Sequence, residues 1–152
     1  MGDIRVGTAT ADDAGELAEL LERFFSEEGF ELPAGGMETR VLGYLSLPHH
    51  AVFAAREESR LIGVATVASN FGLEYGWAAE LEDLYVVPER RTGGVGRALV
   101  DAAVAWAGAD GCTAVLVTVT QEGQDRHDLV AFYRHLGFVD EGRKILELDL
   151  MP

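Results

Sequence analysis

Apolar and polar positions in the first third of the chain predict one strand and two helices. Residues 3–9, DIRVGTA, alternate in the manner of a short strand. The later and shorter of the two helices is predicted to end at Leu47, because helical backbone angles are disfavoured for a residue before proline. His49 and His50 are expected in the loop that follows. The first helix is predicted from large apolar side chains that recur every three or four positions, as on a core-facing side: Leu17, Leu20, Leu21 and Phe24.

The middle of the chain carries three strand patterns. Residues 51–57 (AVFAARE) and 61–69 (LIGVATVAS) are separated by a short polar stretch and predict an antiparallel hairpin. Residues 70–77 (NFGLEYGW) are expected to be irregular, and residues 78–87 (AAELEDLYVV) predict the third long strand.

The last third predicts two more helices and two more strands. A helix is expected over residues 95–107, and the nearly continuous apolar run of residues 112–120 (CTAVLVTVT) is typical of a buried central strand. A helix within residues 126–137 and a final strand over residues 143–150 (RKILELDL) complete the order β-α-α-β-β-β-α-β-α-β. We find no repeat or linker, so one mixed α/β domain over residues 1–152 is predicted.

Composition narrows the function classes. The chain has 152 residues, 48% of them hydrophobic, but no run near the roughly 18 apolar residues of a membrane span and no N-terminal secretory pattern. A cytoplasmic protein without membrane association is therefore expected. Cys112 is the only cysteine, which excludes an internal disulfide and a thiolate zinc cluster, and no metal site is predicted.

Acidic side chains outnumber basic ones by 26 to 12, for a formal net charge of −14. This balance argues against nucleic acid as a partner. An acidic balance is typical of a solvated surface, and it also suits a protein that attracts a cationic substrate. The placement of the carboxylates has to decide between these two interpretations.

Residues 86–100, VVPERRTGGVGRALV, are locally basic in this otherwise acidic chain. Arg90, Arg91 and Arg97 fall within eight positions, beside glycines and ahead of a predicted helix. A helix N-terminus offers unpaired N–H groups, and glycines let a ligand approach the backbone closely. The spacing matches neither a P-loop nor a dinucleotide fingerprint. We therefore expect an anion site that is not a conventional ATP or NAD site.

The motif R-T-G-G-V-G, residues 91–96, fits the pattern [QR]-x-x-G-x-[GA] between a strand and a helix. With LEDLYVVP (81–88) before it and FYRHLGF (132–138) after it, the sequence resembles the GNAT superfamily of acyl-CoA-dependent N-acyltransferases. The resemblance implies a mixed, mostly antiparallel sheet that splays at the cofactor site, with helices on both faces. It also implies direct acetyl transfer from acetyl-CoA to an amine.

The resemblance further implies roles for individual residues. Val86 and Val87 would offer backbone groups to the pantetheine arm, and Tyr133 would protonate or hydrogen-bond the departing thiolate, unless it is only an aromatic core residue beside Phe132. Arg126 stands where the family often has asparagine, so Arg126 or His127 would make a different contact. The CoA pyrophosphate would be cradled by Arg91, Thr92, Gly93, Gly94, Val95, Gly96, Arg97 and Ala98.

Acetylation of an amine needs a base. A lysine-like amine has a pKa near 10.4, so its neutral form at pH 7 costs roughly 4 to 5 kcal/mol. A nearby carboxylate can take the proton. Strand alternation places Glu80 and Glu82 on one face and Asp83 on the other, unless a bulge intervenes. Glu82 is the first candidate, because its place resembles the base position of polyamine-acetylating family members, and Glu80 is the second.

The acceptor is predicted from residues 71–83, which are acidic and aromatic and contain no basic residue. Such a segment suits a small polycationic amine, such as an aminoglycoside or polyamine, through ion pairs and cation–π contacts. The alternatives are an enzyme that acetylates peptide or protein N-termini or amino acids, and a non-catalytic acyl-CoA-binding regulator. The family resemblance makes a homodimer plausible. The candidate substrate contacts are Glu74, Trp77, Glu82, Asp83 and Glu27.

Overall fold

The computed structural model describes residues 2–151. Its contacts form two compact units, one extending to Val117 and the other beginning at Thr118. The strands of the first unit are β1 Ile4–Thr8, β2 His50–Glu57, β3 Arg60–Gly72, β4 Gly76–Val86 and β5 Ala114–Val117. Its helices are α1 Ala14–Glu28, α2 Met37–Ser46 and α3 Val95–Ala109, with short 3-10 turns at Ala11–Asp13 and Pro88–Arg90. The second unit contains α4 Gln121–His127 and α5 Leu129–His135.

The five strands form one sheet in the order β1-β2-β3-β4-β5. The first three pairings are antiparallel, and β4 pairs with β5 in parallel. That parallel pairing covers only Ala78–Leu81 of β4, whereas β4 itself continues to Val86. The predicted mixed, mostly antiparallel sheet is confirmed, and β4 and β5 separate beyond Leu81.

Helices cover both faces of this sheet. Phe24 of α1 stacks on Tyr85 of β4, with ring centroids 5.1 Å apart. Gly63 pairs with Val86, the next residue along β4, and therefore faces the other way. A Cβ at Gly63 would meet Leu99 of α3, which places α3 on that second face. The prediction of helices on both faces is confirmed.

The first helices agree with the sequence pattern. Leu17, Leu20 and Leu21 of α1 are buried, as predicted. The chain leaves α2 at Leu47, which has extended backbone angles before the proline. His49 lies in the turn, but His50 is the first residue of β2, so the loop prediction is right for His49 alone.

The prediction that residues 70–77 are irregular is wrong. Strand β3 continues to Gly72 and β4 begins at Gly76, which leaves a turn of only three residues. Phe71 and Trp77 are cross-strand partners, and their rings meet edge to face at 5.6 Å. This aromatic pair extends the hairpin beyond the point where the glycines suggested that it would end.

The prediction of a buried central strand over residues 112–120 is wrong. The strand spans only Ala114–Val117, and among the described residues it is an edge strand, with Leu116 43% exposed. An apolar run shows that a segment can be buried, but it does not supply a partner strand on each side.

The second unit departs from the pattern in two places. The helix predicted within residues 126–137 is interrupted at Asp128, which has a positive φ of 48°. The side chain of Gln124 supports this break by donating to Asp128 and accepting from the Val130 amide. Residues 143–150 are not assigned as a strand, and their apolar side chains Ile145, Leu146, Leu148 and Leu150 are exposed. Alternation predicts a strand face, but a strand also requires a hydrogen-bonded neighbour.

None of the helices within residues 2–151 has the length and apolar character needed to cross a bilayer.

Gly63 offers a test of the packing between the sheet and α3. A Cβ there would lie 3.0 Å from Leu99 Cδ1 and 3.1 Å from the Tyr85 carbonyl oxygen. We expect Gly63→Val to lower the free energy of unfolding by about 1 to 3 kcal/mol through overpacking, as measured by urea denaturation. Gly7→Val is the matched control, because a Cβ at that strand glycine meets nothing within 4 Å. Equal losses in the two variants would contradict this packing.

Candidate active site

A β-bulge in β4 shapes the candidate site. Val67 of β3 pairs with Leu81 and the preceding Thr66 pairs with Asp83, which leaves Glu82 as the extra residue of β4. A bulge adds one residue to a strand and redirects the side chains around it. Glu82, the first candidate for the base, therefore sits at the one irregular position of this ladder.

The bulge changes the expected alternation of the carboxylates. Thr66 and Asp83 are cross-strand partners, and the Thr66 hydroxyl donates to Asp83 Oδ2 at 2.6 Å. The Tyr44 hydroxyl donates to Glu82 and also lies beside Thr66, the cross-strand partner of Asp83, so Glu82 and Asp83 share one side of the sheet. Simple alternation would have placed Asp83 on the opposite face from Glu82. Because of the bulge, Asp83 does not point away from Glu82. Burial raises the pKa of Asp83, and the Thr66 hydrogen bond opposes that shift.

Tyr44 of α2 reaches across to the bulge. Its hydroxyl donates to Glu82 Oε1 at 3.0 Å, and its ring meets that of His50 edge to face at 4.7 Å. Partial burial raises the pKa of Glu82, the Tyr44 hydrogen bond lowers it, and the negative charges of Asp83 and Glu80 raise it. The net shift is upward, which brings this carboxylate closer to neutral pH as a proton acceptor.

An open cleft of about 500 Å³ lies beside the bulge, between the β3–β4 hairpin and the start of β2. Three carboxylates line it, those of Glu74, Glu80 and Glu82, together with His50. The described residues that line the cleft include no lysine or arginine. The cleft is therefore suited to a small cation.

Three predicted substrate contacts, Trp77, Glu27 and Asp83, do not line the cleft. Trp77 stacks on His49 at 4.4 Å, and His49 Nδ1 lies 2.9 Å from a carboxylate oxygen of Asp110, just beyond α3. Strand alternation places Trp77 with Ala79, on the opposite face from Glu80. The structure thus brings Glu74, Glu80 and Glu82 together, but does not bring Trp77 to them.

Glu27 is held by residues next to the glycine-rich loop. Its carboxylate accepts from the Tyr85 hydroxyl at 2.7 Å and from Arg91 Nη2 at 3.0 Å. Arg91 Nε also donates to the Val86 carbonyl at 2.9 Å. Although burial opposes it, the net pKa shift of Glu27 is downward, because these donors favour the charged form. Glu27 therefore ties α1 to the loop after β4, away from the cleft.

The glycine-rich loop opens into α3 at Gly94, which has a left-handed φ of 80°. The Ala98 amide donates to the Gly94 carbonyl and is the first intrahelical donor, so the amides of Val95, Gly96 and Arg97 before it have no acceptor within the helix. Thr92 and Gly93 are exposed beside them. The loop thus presents N–H groups and the positive end of the helix dipole to solvent.

The arginines of this region have different tasks. Arg90 makes two hydrogen bonds to one oxygen of Glu57, at 2.8 and 2.9 Å, and Arg91 is engaged by Glu27 and Val86. Arg97 is largely exposed, 3.8 Å from Asp101. The cluster that suggested an anion site in the sequence is therefore mostly paired within the protein. The positive groups that this loop leaves facing solvent are the helix amides and Arg97.

The backbone along the splayed part of β4 has a defined direction. The Val87 amide donates to the Ile62 carbonyl of β3 at 2.9 Å, so it is directed into the sheet. Successive N–H groups along a strand point alternately to its two sides. The amides of Leu84 and Val86 therefore point away from β3, to the side where β5 has separated. Of the two predicted pantetheine contacts, Val86 faces the opening and Val87 does not.

Tyr133 lies in the second unit, on α5. It is buried between Phe132 and Phe138, whose ring centroids lie 5.0 and 5.3 Å away. Burial raises its pKa to about 12. A hydroxyl with this pKa is protonated at neutral pH and can donate a proton or a hydrogen bond.

Sequence reasoning missed Tyr44 and Thr66. Tyr44 is 38 positions from Glu82, and Thr66 is 17 positions from Asp83, so no local spacing links either one to the acidic strand. Among residues 2–151, no group of histidine, cysteine and carboxylate side chains has a metal-binding arrangement.

A sequence profile of the acetyltransferase (GNAT) family matches residues 15–138. No curated protein matches the sequence.

Several solved structures share the fold. An aminoglycoside N-acetyltransferase in complex with CoA aligns with a TM-score of 0.84 at 18% identity, covering 99% of this chain and 97% of that one. A ribosomal-protein-alanine N-acetyltransferase from Brucella melitensis biovar Abortus 2308 aligns with a TM-score of 0.77 at 16% identity, over 97% and 99% of the two chains. An integron cassette protein from the mobile metagenome of Cole Harbour Salt Marsh aligns with a TM-score of 0.84 at 26% identity, over 97% and 91%. The likeness to the two enzymes is one of fold alone.

Proposed function

This chain belongs to the acetyltransferase (GNAT) family, and we propose that it moves the acetyl group of acetyl-CoA directly to a primary amine of a small cationic substrate. The acceptor we propose is an aminoglycoside or a polyamine-like molecule. The observation that supports this most is the acidic cleft at the β4 bulge, which three carboxylates line and where one of them, Glu82, has a raised pKa.

Glu82 is proposed as the base. A substrate ammonium must lose a proton before its nitrogen can attack a carbonyl carbon, and Glu82 accepts that proton directly or through water. Its upward-shifted pKa makes it a better acceptor than an ordinary carboxylate, while it remains open to solvent, which can carry the proton away. Glu80, on the same wall, attracts the cation and is the second candidate for the base.

The first unit has features that fit the anionic end of CoA. The amides of Val95, Gly96 and Arg97 at the start of α3 suit a pyrophosphate, and the exposed glycines ahead of them leave room for it. The amides of Leu84 and Val86 are the proposed partners of the pantetheine arm. When bound, acetyl-CoA supplies the thioester carbon that the amine attacks.

Tyr133 is proposed to donate its proton to the leaving sulfur. Its hydroxyl is protonated at neutral pH, as that of any tyrosine is, and can donate to the sulfur. This role rests on the motif FYRHLGF.

The test of the acceptor class is thiol release from acetyl-CoA across a panel of kanamycin, gentamicin, spermidine and short peptides. We expect turnover with the polycationic amines. The relatives of known fold include one enzyme named for aminoglycosides and one named for a ribosomal-protein alanine, so the peptide arm decides between two acceptor classes. Turnover of peptides alone would favour an N-terminal acetyltransferase. Acetyl-CoA binding without turnover of any amine would favour a regulator.

The position of Glu27 leads to a test of the donor side. Because Glu27 holds Arg91, and Arg91 holds the Val86 carbonyl, we expect Glu27→Gln to raise the KM for acetyl-CoA roughly three- to tenfold, an effect of about 1 kcal/mol. The KM for the amine should change little. Steady-state kinetics with each substrate varied in turn measures both values.

Glu31→Gln is the control for the loss of one negative charge in the same region, because Glu31 is exposed beyond the end of α1. If Glu27→Gln instead raises the KM for the amine, Glu27 is a substrate contact, as the sequence first suggested.

A further inference from the structure

The contact between Tyr44 and Glu82 joins α2 to the bulge of β4. The two residues are 38 positions apart, and the Tyr44 hydroxyl lies 3.0 Å from Glu82 Oε1. We propose that Tyr44 is a positioning residue whose hydroxyl holds one carboxylate oxygen of Glu82, so that the other oxygen faces the cleft and receives the amine proton. This inference rests on the proposed function in so far as Glu82 is its base.

The bulge explains why Glu82 needs such a partner. As the extra residue of β4 it has no cross-strand neighbour in β3, and its side chain borders an open cleft. A glutamate side chain in that situation would spread over several rotamers, and a base must lie within hydrogen-bond reach of the proton it accepts. The Tyr44 hydrogen bond restricts that freedom.

Tyr44 is suited to this task. It lies in the last turns of α2, which is anchored by buried Met37 and Val41, and its ring rests against His50. Burial and the neighbouring Glu82 charge move the pKa of Tyr44 upward from its ordinary value. The hydroxyl therefore remains a donor throughout the pH range in which Glu82 titrates.

The groups around the Glu82 carboxylate act in opposite directions. Asp83 and Glu80 of β4 raise its pKa by repulsion, and His50 of β2 lowers it. Burial raises the pKa most, and the hydrogen bond from Tyr44 of α2 lowers it, because a donor favours the charged carboxylate. Removing the Tyr44 hydroxyl should therefore raise the pKa of Glu82.

The experiment compares Tyr44→Phe with Tyr85→Phe. Tyr85 also donates to a glutamate, Glu27, at 2.7 Å, so each variant removes one hydroxyl from one tyrosine–glutamate hydrogen bond. The Glu82 carboxyl is followed by carbon-13 NMR and assigned from the resonance that Glu82→Gln removes. In Tyr44→Phe we expect its titration midpoint to move to higher pH by about 0.5 to 1, and in Tyr85→Phe to stay in place.

The second readout is the pH dependence of kcat/KM with acetyl-CoA and either kanamycin or spermidine. We expect the acid limb of the Tyr44→Phe profile to move upward with the NMR midpoint, and activity to recover in part above it. A Tyr44→Phe protein whose Glu82 midpoint is unchanged overturns the inference, and so does a shifted midpoint without a shifted acid limb. If the wild-type protein acetylates neither amine, the proposed substrate class fails, while the NMR comparison still decides whether Tyr44 holds Glu82.

Discussion

Glu82→Gln is expected to lower kcat/KM for the amine by about 100-fold or more at pH 7, within the range of general-base catalysis. Glutamine keeps the size of the side chain and an oxygen that can accept from Tyr44, but it cannot take a proton. The deficit should narrow as the pH approaches the amine pKa, because a growing fraction of the substrate is then neutral without help. Thiol release measured from pH 6 to 10 tests both statements.

The same substitution should not lower thermal stability. Because the pKa of Glu82 is raised in the folded protein, its carboxylate opposes folding as the pH rises from the unfolded value through the folded one. A neutral glutamine removes that cost, so the melting temperature at pH 7 should stay the same or rise. If activity is lost while the melting temperature is unchanged, the loss is due to catalysis and not to unfolding.

Glu80→Gln is the matched control on the same strand and the same wall of the cleft. We expect its effect to fall mainly on the KM for the amine, at roughly two- to fivefold, the usual worth of an exposed ion pair. If Glu80→Gln loses 100-fold and Glu82→Gln does not, the base is Glu80. If neither variant loses turnover, neither Glu80 nor Glu82 is the base.

Gly94→Val is expected to weaken acetyl-CoA binding by at least about tenfold. The residue before α3 has a φ of 80°, which a β-branched side chain adopts only at a cost of about 1 to 2 kcal/mol. We expect the loop to move to a more favourable conformation and the amides of Val95 to Arg97 to lose their arrangement. Calorimetric titration with CoA and with acetyl-CoA measures the change.

Gly111→Val is the control for backbone strain. Gly111 has a φ of 86°, lies just beyond the other end of α3, and has open space around a Cβ, as Gly94 does. Both variants should lose similar thermal stability, but only Gly94→Val should lose CoA binding. Equal binding losses would mean that the N-terminus of α3 is not where the cofactor binds.

Much of the fold could be predicted from periodicity. The alternation of β1, the long apolar runs of β2 and β3 and the helical spacing of Leu17 and Leu20 match the structure because each reports local geometry and burial together. Two of the predictions that failed depend on which strands lie next to a segment. Residues 112–120 and 143–150 carry strand-like apolar patterns, but the number of strands that pair with a segment depends on residues far away in the chain. The single domain and the homodimer both stay predictions.

The candidate site shows the same division. Spacing within residues 74–83 identified Glu80 and Glu82 as side chains of one face, and the structure places both on the wall of the cleft. Position in the sequence also suggested Glu27 and Trp77, but Glu27 contacts Arg91 and Trp77 contacts His49. A charge pattern shows which side chains are available, and it does not show which of them are already paired.

The sequence by itself determined the family, the order of most elements and the acidic strand, because motif spacing and hydrophobic periodicity are properties of neighbouring residues. Only the tertiary structure decided that a bulge at Glu82 keeps Asp83 on the same side, and that Tyr44 of α2 reaches that carboxylate. It also decided that two of the three clustered arginines are engaged by Glu57 and Glu27. Strand register and long-range pairing bring together residues tens of positions apart, and no local pattern encodes that proximity.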